Sequence, residues 1–197
     1  GLHVAKLQCF QNRGRNFGPL LQGLGQELDQ DCDLYAHLHT KRSQHLNPNV
    51  TTQWRKFLMD HLLGQDGCPV MDTIVDTFEQ DPNLGMVYAD DPHCIGWTEN
   101  QESAHLLMNK LGLNTEEQNL VMPREMTTVD FPIGSMFWMR SRCLNRVWTS
   151  KRLKDAIPKE PLANDGTVLH ALERLLPGLC RLAGFTTAVT HIPGSRR

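Results

Sequence analysis

The sequence is short of the features that announce a function by themselves. Its six cysteines, at positions 9, 32, 68, 94, 143 and 180, form no CxxC pair and fall far below the density of a small secreted scaffold. They read as mostly reduced thiols in a cytosolic protein. No run approaches the roughly 18 consecutive apolar residues that span a bilayer, and the start shows no signal-peptide pattern, so any membrane contact is expected to be peripheral. An excess of one charge is missing too: 20 basic and 22 acidic residues give a formal charge of -2, which argues against wholesale nucleic-acid binding. An anionic ligand would have to be held locally.

What is present suffices for one substantial domain. The 197 residues, 40% hydrophobic and 21% charged, can build a single α/β core, and one domain is expected over 1–197. Leu2 to Phe10 already reads as a strand, so the chain is expected to be a piece of a longer protein. No internal repeat, low-complexity tract or linker interrupts it.

Between Asp33 and Ser43 an apolar strand pattern runs into a polar cluster. Leu34, Ala36 and Leu38 alternate with Tyr35, His37 and His39, which puts both histidines on one face. His39, Thr40 and Lys41 then reach the strand's carboxyl end, where open α/β sheets place ligands. The plainer alternative is a half-buried strand with hydrogen-bonded histidines, followed by a solvated turn at Lys41 and Arg42.

Upstream, Gln11 to Asn16 is a basic glycine turn between a strand and a helix over Phe17 to Leu28. Its backbone N–H groups, with Arg13 and Arg15, suit a phosphate, although it is no GxGxxG or P-loop and a solvated turn gives the same pattern. Downstream, one helix is expected from about Thr51, burying Trp54, Phe57, Leu58, His61 and Leu62. Another follows Cys68-Pro69, with Val70, Met71, Ile74, Val75 and Phe78 at helical spacing. Leu84 to Ala89 is a buried-type strand ending in Asp90, Asp91, His93 and Cys94, residue types that ligate metals but at no standard zinc spacing. A helix carrying Leu106, Leu107 and Leu111 comes next, then a polar loop over 114–128.

Phe131 to Gly134 reads as a turn and Ser135 to Met139 as a strand, with Gly134 and Ser135 permitting close ligand approach. Short helical pieces over 141–156 lead to a proline-stiffened loop at 157–161. Asp165 is the expected cap of a helix whose Val168, Leu169, Leu172, Leu175 and Leu176 face the core. His170, Glu173 and Arg174 share its other face, toward solvent or a site wall. A last strand runs from Phe185 to Ile192.

Taken together, Asn12-Arg-Gly-Arg-Asn-Phe-Gly-Pro19, Leu38-His-Thr-Lys-Arg-Ser43, Phe131-Pro-Ile-Gly-Ser-Met-Phe-Trp-Met-Arg140 and Glu160 with Asp165-Gly-Thr-Val-Leu-His-Ala-Leu-Glu-Arg174 resemble the rhamnan-synthesis F family. Its members are associated with bacterial polysaccharide assembly and regarded as glycosyltransferases. The resemblance covers nearly the whole chain in order. It departs at one place, where an Asp is expected after the Asn12-Arg-Gly-Arg run and this chain has Asn16.

The resemblance implies a partial glycosyltransferase-A-like, Rossmann-like α/β three-layer sandwich with a mostly parallel central sheet, lacking its N-terminal βαβ portion. It implies transfer of a sugar, rhamnose or another deoxyhexose, from a nucleotide-sugar donor to a bacterial cell-surface polysaccharide. The implied partners are a glycan or lipid-linked glycan acceptor and other domains of a longer chain, at the cytoplasmic face of the plasma membrane. Asn12, Arg13, Arg15, His39, Lys41 and Arg42 would meet the donor phosphates where a metal-binding Asp-x-Asp is usual. Asp165 first, then Glu160, would activate the acceptor hydroxyl, and Gly134, Ser135, His170 and Glu173 would contact substrate. A Mn²⁺ or Mg²⁺ ion would need less usual ligands, Asp90 and Asp91. Two other readings stay open: a non-catalytic carbohydrate-binding or assembly module of a larger polysaccharide-synthesis protein, and a purely structural fragment.

Overall fold

A computed structural model describes residues 7–40, 47–91, 95–97, 99–123 and 128–195. A 3-10 turn at Arg15–Phe17 and π-helical Leu20–Leu24 lead into helix α1 (Gly25–Asp31) and strand β1 (Leu34–His37). Helices α2 (Pro48–Leu63) and α3 (Val70–Gln80) precede β2 (Leu84–Ala89). The two-residue β3 (Ile95–Gly96), α4 (Gln101–Lys110), α5 (Thr115–Val121) and β4 (Thr128–Val129) follow, then β5 (Phe137–Arg140). After a 3-10 turn at Ser141–Leu144 come α6 (Asn145–Thr149), α7 (Lys151–Asp155), α8 (Val168–Leu182) and β6 (Thr186–Thr190). No described helix is long and apolar enough to cross a membrane.

The main sheet has the order β1-β5-β2-β6, and it is not the mostly parallel sheet expected. β5 runs antiparallel to both β1 and β2, while β2 and β6 are parallel. Alternation of side chains reports which residues are buried but carries no direction, so the reversal of β5 could not be read from its sequence. Helices cover both faces. Met86, Tyr88, Phe137 and Met139 pack with residues of α4, α5 and α8, whereas Ala89 joins Trp54, Phe57 and Leu58 of α2, and Val87 joins Ile74 and Phe78 of α3. A β-bulge between Leu84 and Met86 turns Leu84 to the α3 side with Val87.

The helices begin where local chemistry tells them to. Asn47 accepts from the Asn49 N–H at 2.9 Å and Pro48 opens α2, whose buried face is the expected Trp54, Phe57, Leu58, His61 and Leu62. The polar loop expected over 114–128 instead contains α5. Asn114 and Glu117 cap it reciprocally, at 3.0 and 2.8 Å, a signature present in the sequence as Asn-Thr-Glu-Glu. In α4 the buried stripe is Ala104, Leu107 and Met108, while Leu106 is 51% exposed. The cap of α8 is Thr167 and not Asp165, which lies two residues upstream. Of the strand expected over Leu2 to Phe10, residues 7–10 form none and the earlier part lies outside the described residues. Gly178 of α8 touches α5 so closely that a Cβ there would stand 2.3 Å from the Val121 carbonyl oxygen.

Candidate functional site

An open cleft of about 800 Å³ lies beside the carboxyl end of β1 and the amino end of β5, walled by the turn at Arg15, the loop 160–165 and α8. The register Tyr35↔Met139 and His37↔Phe137 brings Gly134 and Ser135, just before β5, next to His37 and His39. The cleft therefore sits where β1 ends and its antiparallel neighbour β5 begins.

The two histidines divide the alternatives weighed for them. His37 is the packed one. Its Nδ1 lies 2.7 Å from the Ser135 carbonyl oxygen and its Nε2 3.1 Å from that of Asn16, with the ring stacked on Phe17 at 5.7 Å. Burial, aided by the nearby charge of His39, lowers its pKa from 6.5 to about 4, although its two carbonyl contacts favour the proton. Above pH 6.5 that preference for the neutral ring has no effect on folding; as pH falls toward 4 the unfolded chain binds a proton that the folded protein refuses. Between pH 7 and 5 this group alone should remove about 2 kcal/mol of stability. Urea unfolding at the two pH values, with an NMR titration of the ring, checks it; a ring midpoint near 6.5 would eliminate the contribution.

His39 faces the cleft, and its Nε2 donates to the Gly134 carbonyl at 2.8 Å. Asn16 lies beside it, its amide nitrogen 3.2 Å from the same ring nitrogen. The Gly134-Ser135 turn is clamped from the opposite side by Glu173 of α8. One carboxylate oxygen accepts from the Gly134 N–H at 3.0 Å and from the Ser135 hydroxyl at 2.6 Å. Gly134, Ser135, His170 and Glu173 thus do converge on the cleft, with Glu173 shaping it as well as lining it.

Arg15 forms the facing wall. Its guanidinium donates to the carbonyl oxygen of Ala163 at 2.9 Å and to His170 Nε2 at 3.1 Å, and stands 4.0 Å from Glu160. His170 Nδ1 lies 2.9 Å from Thr167 Oγ1 and 3.4 Å from the Thr167 backbone nitrogen, so the same ring also closes the start of α8. Arg15 and Ser135 are the described non-glycine residues with positive φ, 49° and 58°, and they stand on the cleft from different segments. Strained backbone of this kind collects at working sites. Asn12 and Arg13 do not line the cleft. Arg13 ties down the neighbouring loop, its Nε donating to the Ile157 carbonyl at 2.5 Å. Lys41 and Arg42 lie outside the described residues, as do His93 and Cys94.

Asp165 is held at the cleft edge with its side chain 46% exposed. Burial works against its charge, but the Asn100 side-chain amide and the Gly166 N–H, each donating at 2.9 Å, and the Arg174 guanidinium at 3.5 Å outweigh it and hold the carboxyl below the usual range. Arg174 is buried, with its guanidinium 5.1 Å over the Phe131 ring. Sequence reasoning grouped Arg174 with His170 and Glu173 but missed Asn100, Phe131 and a cleft role for Trp54, whose indole donates to Asp91 at 3.2 Å. The aromatic run Phe131 to Trp138 was the available signal for Phe131. Nothing local pointed to Asn100.

The weak metal candidates are otherwise engaged. Asp90 pairs with His191 at 3.2 Å, and Asp91 accepts from Trp54. Among the described residues no group of three or more His, Cys, Asp or Glu side chains is arranged to hold a metal ion.

The family described as Rhamnan synthesis protein F matches residues 2–183. Two curated relatives, both called "Uncharacterized protein WxcX", come from Xanthomonas campestris pv. campestris strains B100 and ATCC 33913. Each is 31% identical over 191 residues, covering 95% of this chain but 24% of the relative, so the chain spans about a quarter of their length. No solved structure matches. The chain belongs to the rhamnan synthesis protein F family.

Proposed function

We propose that the cleft is the sugar-transfer site of a glycosyltransferase-like domain, the later part of a glycosyltransferase-A-like unit. It moves rhamnose or another deoxyhexose from a nucleotide-sugar donor to a growing bacterial polysaccharide. One observation carries the reading: an ionised, half-exposed carboxylate, Asp165, shares a cleft with a fixed guanidinium, Arg15, and the imidazoles of His39 and His170.

The chemistry needs both halves. The acceptor hydroxyl oxygen bonds to the anomeric carbon as its proton passes to the Asp165 carboxylate. The bond from that carbon to the phosphate oxygen breaks, and its electron pair leaves on the diphosphate, whose charge the Arg15 guanidinium meets. Glu160, 4.0 Å from Arg15, orients that guanidinium. No step here passes through a metal ion. If a longer protein carrying this chain loses all transfer to a chelator and regains it with Mn²⁺ or Mg²⁺, that assignment of the leaving-group charge is wrong.

A second reading, a non-catalytic carbohydrate-binding or assembly module, is favoured by the partners that already engage the Asp165 carboxylate, Asn100, Gly166 and Arg174. Calorimetric titration of a nucleotide-sugar panel and of glycan fragments, against this chain and a longer protein that carries it, separates the two. Donor binding weakened at least tenfold by Arg15→Ala supports transfer. Glycan binding with no donor binding in either protein supports the module.

A further inference from the structure

The two oxygens of the Asp165 carboxylate are held unequally. Oδ1 accepts from Asn100 Nδ2 and from the Gly166 N–H, each at 2.9 Å, and lies 3.7 Å from His170 Nδ1. Oδ2 has one longer contact, the Arg174 guanidinium at 3.5 Å. A carboxylate oxygen accepts along about two lone pairs, so Oδ1 is filled and Oδ2 keeps room for a proton. Helix α4 builds the asymmetry. Asn100 immediately precedes it, and Ser103 in its first turn donates to the Gly166 carbonyl at 2.7 Å, so the start of α4 grips both the side chain of Asp165 and the backbone that follows.

We propose that Asn100 is a positioning residue for the transfer base: it occupies Asp165 Oδ1 and leaves Oδ2 to take the proton of the acceptor hydroxyl. The inference rests on the transfer reading for the reaction. Asn100 is 1% exposed, and its side chain makes no cap bond to α4, so the bond to Asp165 is its contribution here. Its amide oxygen is buried without a partner among the described residues, an arrangement that costs stability. Turning the amide over would set two oxygens against each other, so the carboxylate dictates its orientation. Residues that break the rules of a well-satisfied interior in this way gather at functional sites. The partners of the carboxylate therefore orient it without using it up.

Two measurements test it: carbon-detected NMR titration of Asp165 in this chain, and the pH dependence of transfer from a nucleoside diphosphate rhamnose by a longer protein that carries it. Asn100→Ala removes a donor to the charged form, so the Asp165 midpoint should rise and the acidic limb of the rate profile should move up with it. The turnover number should fall about tenfold to a hundredfold with the donor KM unchanged. A fall in rate with an unmoved limb marks a merely structural role and overturns the inference, as does an unmoved midpoint. Should urea unfolding show that alanine disrupts this buried site, the isosteric Asn100→Asp decides: its carboxylate opposes that of Asp165, so the limb must again rise, and a limb left in place overturns the inference. An inactive Asp165→Asn beside a normal Asn100→Ala profile removes the inference alone. Normal turnover by Asp165→Asn removes the transfer reading, and the inference with it.

Discussion

Replacing Asp165 by Asn should lower sugar transfer by a longer protein carrying this chain about 10²–10⁴-fold, the range for losing a general base. Donor affinity should barely change. The substitution is clean because Asp165 does not cap α8; Thr167 does. An asparagine keeps an oxygen for the Asn100 amide and the Gly166 N–H, and loses the pairing with Arg174 at 3.5 Å. With the carboxylate half exposed, that loss should cost about 1 kcal/mol or less. Single-turnover rates with saturating donor, beside urea unfolding, separate chemistry from folding. A variant that turns over normally removes Asp165 from the reaction and leaves Glu160 as the carboxylate to examine. Glu160 is the second choice because Arg15, the guanidinium assigned to the leaving diphosphate, stands 4.0 Å from it.

The largest effect on folding is expected from Gly178→Ala, about 2–3 kcal/mol of lost stability. Propensity predicts the opposite sign, since alanine is favoured over glycine inside a helix by about 1 kcal/mol. Geometry decides against it. The added methyl would lie 2.3 Å from the Val121 carbonyl oxygen and 2.9 Å from its Cα, atoms of the backbone that cannot rotate aside. The end of α5 would have to lift from α8, opening the packing of Val121 and Met122 against the leucines of that helix. Urea unfolding of the two proteins measures the difference, and an alanine variant as stable as the parent would show that α5 yields at no cost.

Much of the architecture was legible because it depends on periodicity alone. The stripe from Trp54 to Leu62 in α2 and the leucines of α8 were readable at helical spacing, and so was the shared face of His170 and Glu173 that the cleft uses. The His37 and His39 pair was legible as a pair but not as a division of labour. Which imidazole packs and which faces the cleft depends on Phe17, Asn16 and the Ser135 carbonyl, all distant in the chain. The partner that positions Asp165 is of the same kind, since Asn100 precedes it by 65 residues. The direction of β5 was hidden for a different reason, that a short alternating strand looks the same in either sense.

The strand order β1-β5-β2-β6 also sets a schedule. Each pairing in this sheet closes a loop of about fifty residues or more, even that of β2 with β5, which follow one another among its strands. Among the described residues this sheet has no tight hairpin to nucleate on, so it should form late and slowly, after helices that need only local contacts. On a ribosome β1 would wait for β5 and β2 would wait for β6, leaving their edges unpaired until nearly the whole segment has emerged. The arrangement that brings the Ser135 turn to the His39 loop therefore makes the nascent chain a natural client for chaperones.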